Sequence, residues 1–267
     1  MATKLLMAKS PEEAIGAKNA EAVFIAGGTE VNRLGSDAAA AADTLISLKK
    51  CAGLAGISEG AGFVNIGAMT TFQQLVESDT VPGWLKEAAR FMASRTKRNM
   101  ATIGGNIAAY RSDSYLIPAL YAAGAVLEIS EGGKVECIKI SEYLEKKDAY
   151  QNALITSVTV PKDIKLVSKR YANTAQSHAV LTMSAALGEE GIRMAGAVKN
   201  VGVLHFCDLE KAFREDPDIS EEAVIKMVKE CTGLETADDM FGSDAYKRYL
   251  IGVTAFGLYK KLTGKGV

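Results

Sequence analysis

Two short stretches of the chain combine paired glycines with hydroxyl and amide side chains: "AGGTE" at 26–30 and "TIGGN" at 102–106. Glycine lacks a Cβ, so consecutive backbone amides can turn into one concavity and a ligand can approach the chain closely. Thr29, Thr102 and Asn106 would add neutral hydrogen bonds beside those amides. Phosphate oxygens are the chemistry such a cradle suits. Neither stretch is the GxGxxG dinucleotide fingerprint, and neither carries the lysine of a GxxxxGK[ST] P-loop. A lone Gly-Gly pair is more often a turn, so spacing alone leaves both a turn and a phosphate cradle open.

The remaining reactive side chains form no constellation. His178 and His205 are the only histidines and no GxSxG motif occurs, so a hydrolase triad is unsupported and both read as structural. Cys51, Cys137, Cys207 and Cys231 lie far apart with no CxxC pair, which argues against a zinc or iron–sulfur site and predicts buried free thiols. With 31 basic and 32 acidic side chains the net charge is −1, giving no general attraction to nucleic acid or to an anionic membrane. The densest basic stretch, Arg95, Lys97 and Arg98, reads as a solvated helix end. No apolar run is long enough to span a bilayer, and the expected location is the cytoplasm.

The elements that must position the glycines follow from periodicity and punctuation. Ser10-Pro11 opens a helix running to about residue 19, with Glu13 completing a capping box. A strand at 23–26 leads into the first Gly-Gly pair, and a second strand at 44–48 follows the small-residue linker "DAAAAAD". A strand over 63–66 precedes a short helix capped by Thr70 with Gln73. Pro82 starts a longer helix carrying Trp84, Leu85, Ala88, Ala89 and Met92 at helical spacing, which "TIGGNI" then interrupts. "LIPALYAAGAVLEI" begins helical and ends as a strand at 126–129, the glycines at 132–133 mark a hairpin, and a strand over 154–160 stops at Pro161. Beyond residue 165, "AVLTMSAAL" and "GIRMAGAVKNVG" read as strands meeting through "GEEG". An amphipathic helix in "SEEAVIKMVKECTG" and a last helix from about Ser243 follow, the latter with Tyr246, Tyr249, Leu250 and Val253 on one face as core or interface.

Taken in order, "AGGTE", "IGAMTT", "TIGGN", "IPALYAAGA" and "KRYANTAQSHAVL" resemble the FAD-binding subunit of the molybdenum hydroxylases, the family that includes xanthine dehydrogenase. The resemblance covers nearly the whole chain. It implies an α+β architecture with a vanillyl-alcohol-oxidase-type FAD-binding fold: two α/β subdomains at 1–58 and 59–162, then a C-terminal α+β domain at 163–267. Phe24, Ile25, Ala26, Gly27, Gly28, Thr29, Glu30 and Val31 match the loop that wraps the FAD pyrophosphate. Thr102, Ile103, Gly104, Gly105 and Asn106 match the loop that touches the pyrophosphate, ribityl chain and flavin edge. Ile155 matches an apolar residue packed on the isoalloxazine, and Lys165 a lysine near the flavin. Many relatives carry an aspartate nine residues after the loop asparagine. Here that position is Tyr115, so either Asp113 substitutes or Tyr115 covers the flavin differently.

The family route implies non-covalent FAD relaying electrons from [2Fe–2S] clusters on a small partner subunit, with molybdopterin on a large one, to NAD⁺ or another acceptor. No catalytic side chain and no metal site on this chain are expected. The alternatives are a flavin-free assembly subunit and a self-contained flavin oxidase. The second is the weaker, since neither histidine nor cysteine falls where a covalent flavin link would be expected.

Overall fold

The computed structural model describes residues 4–33, 42–189 and 191–265. The alanine-rich linker expected after residue 36 falls almost wholly outside the described residues. The chain divides into two compact units. The first comprises Met1–Pro82, Ser94–Ala109 and Gly124–Lys162, the second Gly83–Ala93, Tyr110–Ala123 and Asp163–Val267.

The first unit holds two sheets. Strands β1 (Lys4–Met7), β2 (Ala22–Ile25) and β3 (Thr44–Ser47) form a parallel sheet in the order β1-β3-β2. The crossover between β1 and β2 carries the helix Pro11–Gly16, whose N-cap Ser10 accepts the Glu13 amide while the Glu13 carboxylate accepts the Lys9 amide at 2.7 Å. Ala8, Ala14, Ala22, Ile46, Leu48 and Leu54 are buried together around this sheet. The second sheet has the order β4-β5-β8-β6-β7 and is antiparallel throughout, from β4 (Ile57–Glu59), β5 (Phe63–Gly67), β6 (Val126–Glu131), β7 (Lys134–Lys139) and β8 (Leu154–Pro161). Gly132 and Gly133, both at positive φ, make the β6–β7 turn, as the "GG" signal predicts.

Two local expectations change here. The helix Phe72–Glu77 is capped by Thr71, not Thr70: Thr71 Oγ1 accepts the Gln74 amide and Gln74 Oε1 accepts the Thr71 amide at 2.8 Å. Thr70 is buried and its hydroxyl is spent on the Gly56 carbonyl at 3.1 Å, so the cap falls one residue later. "TIGGNI" is also not a loop. Ile103–Ala109 is helical, with both glycines in its first turn.

The second unit is built on one antiparallel sheet in the order β12-β11-β10-β9, from β9 (Lys165–Tyr171), β10 (Leu181–Gly188), β11 (Gly191–Val198) and β12 (Gly202–His205). Leu181 to Ala186 of β10 are buried at every position, because Asp244–Thr263 covers one face and Ile117–Ala122 the other. That double coverage explains its run of small and apolar residues without alternation. The helix Asp244–Thr263 buries Leu250, Ile251, Ala255, Leu258 and Leu262, whereas Tyr246 and Tyr249, expected as core or interface, are about half exposed. Of the four cysteines only Cys51 is buried; Cys137 and Cys207 are exposed, contrary to the expectation of buried thiols.

Candidate functional site

The first glycine stretch leaves β2 at Ile25 and reverses at Gly28, whose φ of +75° is a left-handed conformation that glycine adopts without strain. The Gly28 carbonyl accepts the Asn32 amide at 3.0 Å and the Glu30 carbonyl accepts the Arg33 amide at 2.9 Å, so residues 28–33 wind into a helical turn. Among the described residues, the amides of Gly27, Gly28 and Thr29 donate to no protein acceptor. Three adjacent unpaired donors are the local requirement for anion binding. Thr29 is exposed and Val31 half-buried. The Glu30 carboxylate pairs with Arg33 at 3.0 Å, which neutralises the acid beside those amides.

The second stretch behaves differently. The Ile103 amide donates to Thr70 O at 3.0 Å, Gly104 to Ala68 O at 2.9 Å, Gly105 to Thr102 Oγ1 at 3.1 Å and Asn106 to Thr102 O at 2.9 Å. The four amides of residues 103–106 are therefore all committed. What it can add is the Thr102 hydroxyl hydrogen and the bare Cα face of Gly105.

Glycine also serves assembly. A Cβ on Gly27 would lie 1.7 Å from the Met100 carbonyl oxygen, and one on Gly104 would lie 2.6 Å from Ala68 Cβ. Gly105 faces Thr102 Oγ1 and Ala26 Cβ, at 2.8 and 3.7 Å from where its own Cβ would be. The two Gly-Gly stretches, separated by 76 residues (104 − 28), are thus packed against each other within the first unit. Ile155, also of this unit, is buried in β8 opposite Ile129.

Residues 1–163 match the family model described as the FAD binding domain in molybdopterin dehydrogenase. The chain belongs to this family. It is 32% identical over 243 residues to the uncharacterized protein YgfM of Escherichia coli K12, covering 90% of this chain and 87% of that one. It is 24% identical over 216 residues to the glyceraldehyde dehydrogenase medium chain of Sulfolobus acidocaldarius, covering 74% and 75%. The quinoline 2-oxidoreductase structure from Pseudomonas putida 86 superposes with a TM-score of 0.84 at 22% identity, over 99% of this chain and 98% of that chain. The α+β fold is that of the FAD-binding medium subunits of molybdenum hydroxylases.

The family's cofactor can be tested against the chain's own atoms. A pyrophosphate needs several donors on one short arc, with no side chain in the way and no unpaired acid beside them. The 27–29 amides, the left-handed Gly28 and the neutralised Glu30 meet those conditions. The first unit therefore fits FAD.

The other expected residues lie in the second unit. Lys165 is exposed at the start of β9. Asp113 is buried, and its carboxylate is surrounded: Arg111 Nε at 2.7 Å, Lys199 Nζ at 2.8 Å and His178 Nδ1 at 2.8 Å. Burial alone would raise this carboxyl, but the hydrogen bonds and charges of Arg111 and Lys199 outweigh it and hold it well below the usual carboxylate range. Both Asp113 oxygens are thus spent on the second unit's own fold. Tyr115 is half-buried with the Arg170 guanidinium 5.6 Å above its ring centre, and burial pushes its hydroxyl pKa up. Sequence reading could not find this cluster, because Lys199 and His178 stand 65 or more residues from Asp113 and carry no shared pattern. Among the described residues no group of three or more His, Cys, Asp or Glu is placed to hold a metal.

Proposed function

We propose that this chain binds FAD non-covalently and serves as the electron-transfer subunit of a molybdenum hydroxylase-type, xanthine dehydrogenase-like complex. On this reading the molybdopterin and [2Fe–2S] centres belong to a large and a small partner subunit, electrons arrive from the clusters, and NAD⁺ or another acceptor takes them. The observation that carries it is the row of unpaired amides at Gly27, Gly28 and Thr29, inside the segment matched by the family model.

The cradle is drawn from the first unit. The strand residues Phe24 and Ile25, with Ala26 just beyond the strand, anchor the arc, the amides of 27–29 face the pyrophosphate, and the Thr29 hydroxyl completes the polar contact. Thr102 and Asn106 contribute side-chain hydrogen bonds, and Ile155 an apolar surface. When bound, FAD supplies the electron exchange itself, so the protein need supply only position, electrostatics and exclusion of water. Neutral amides suit this task because they stabilise phosphate charge without titrating.

The visible absorbance of the purified chain tests the proposal. Flavin bands, with FAD released on denaturation, are the expected result. A folded, colourless protein that takes up no FAD on titration would overturn it.

A further inference from the structure

β8 does not pair regularly with β6. Glu128 stands opposite Ser157 and Ile129 opposite Ile155, so Thr156 is the extra residue of a β-bulge. On its β5 side Thr156 continues the ladder, accepting the Ala68 amide at 2.9 Å. On its β6 side it has no residue opposite, and its hydroxyl takes over the pairing. Thr156 Oγ1 lies 3.1 Å from the Glu128 carbonyl and 2.5 Å from the Glu128 carboxylate, donating to this one residue.

This clasp sits at the head of a short chain of contacts. Thr156 holds the Ala68 amide, the Ala68 carbonyl accepts the Gly104 amide at 2.9 Å, and the Ala68 methyl fills the space where a Gly104 Cβ would be. Gly104 is the second residue of the helix whose cap is Thr102, and Gly105 and Asn106 follow it. Every link is a direct contact within the first unit. A bulge serving only sheet twist needs no carboxylate-anchored hydroxyl, and Glu128 already stands in register with Cys137 of β7 and Ser157 of β8, so its carboxylate is not needed to close the sheet.

We propose that Thr156 and Glu128 are positioning residues for the cofactor, setting through Ala68 and Gly104 where Thr102 and Asn106 stand. The proposal rests on the FAD reading for its purpose and on the Ala68–Gly104 contacts for its mechanism, and the two are separable by experiment. In the full-length chain, Thr156→Val removes the hydroxyl at nearly constant volume and Thr156→Ser restores it. FAD affinity is measured by flavin fluorescence, the flavin midpoint potential by dye equilibration, and Gly104 amide exchange by NMR without FAD.

Thr156→Val should speed Gly104 exchange, weaken FAD binding about tenfold, the size of one lost part-buried hydrogen bond, and shift the midpoint potential. Thr156→Ser should return all three to wild type. Glu128→Ala, which leaves the Glu128 carbonyl as acceptor, should weaken FAD about threefold and is the second test if the valine variant does not fold. Unchanged Gly104 exchange and unchanged FAD affinity in the variants would overturn the clasp. A wild-type chain that takes no FAD overturns the FAD reading instead, and the clasp then stands or falls on Gly104 exchange alone.

Discussion

The two Gly-Gly stretches look alike as strings, yet their backbone amides are in opposite states. Those of Gly27, Gly28 and Thr29 have no protein acceptor, whereas those of Gly104 and Gly105 are bonded to Ala68 and Thr102. Hydrogen exchange separates them: the 27–29 amides should exchange fast in the free chain and slow markedly with FAD, while Gly104 and Gly105 change little. Equal slowing of both sets would contradict the assignment. Substitutions should differ as well. Gly27→Ala forces a methyl onto the Met100 carbonyl and should destabilise the fold by several kcal/mol, read by urea unfolding. A Cβ at Gly105 would press on the Thr102 hydroxyl at 2.8 Å and touch Ala26 Cβ at 3.7 Å, side-chain atoms rather than backbone, so Gly105→Ala should lose FAD retention with a smaller stability cost than Gly27→Ala. Asp113 governs the acid limb. Its folded carboxyl titrates well below the ordinary ~3.9 of an unfolded aspartate, so the native state binds fewer protons between those values. Its contribution is full above about pH 4 and drains as the pH falls through the folded value. Asp113→Asn strands Arg111 and Lys199 without their counter-charge and should cost about 3–5 kcal/mol at neutral pH, while removing this acid-dependent component.

At the scale of elements, close approach decides what a residue is for. In the helix Asp244–Thr263, Gly252 lies against the helix Glu221–Glu230, and a Cβ there would sit 2.8 Å from Ile225 Cα. Five residues on, Gly257 is exposed with nothing near it. Gly252→Ala should therefore destabilise by about 1–3 kcal/mol, and Gly257→Ala should stabilise by roughly 0.5–1 kcal/mol. Thermal unfolding of the pair checks the opposite signs within one helix. The same consideration shows how far the sequence could be read. Most strands and helices follow from period and punctuation, and the Gly188–Gly191 hairpin pairs as the glycines predict. "TIGGNI" misleads because two glycines argue against a helix, and only its docking on Ala68 and Thr70 makes one affordable. The candidate cradle was legible as a pair of motifs, but which motif keeps its amides free depends on contacts the strings do not show, such as Ile103 and Gly104 donating to Thr70 and Ala68, 33 and 36 residues back. Lys247 was missed for a similar reason: it is buried, and its Nζ reaches Asp239 at 2.6 Å and the Ala237 carbonyl at 2.8 Å.

For the whole molecule, the proposed reading makes the chain one subunit of a larger complex, and no helix of the described residues is long and apolar enough to cross a membrane. Affinity purification from its native host should bring down one larger and one smaller polypeptide together with molybdenum and iron, read by elemental analysis. Recovery of the chain alone, flavin-loaded and without those metals, would count against the proposed complex. The order of segments in the two units has a further consequence, for synthesis. The polypeptide passes between the units five times, at residues 82/83, 93/94, 109/110, 123/124 and 162/163. A ribosome that has released residue 162 has already delivered the helix Ile117–Ala122, with Ile117 and Leu120 destined for full burial, but neither β10 nor β11 that cover it. After its last residue, Ala122, that apolar helix must wait, exposed, 59 residues for the start of β10 (181 − 122) and 69 for that of β11 (191 − 122). This order of synthesis should make the nascent chain prone to chaperone binding, and a fragment cut after residue 162 should aggregate where the whole chain does not.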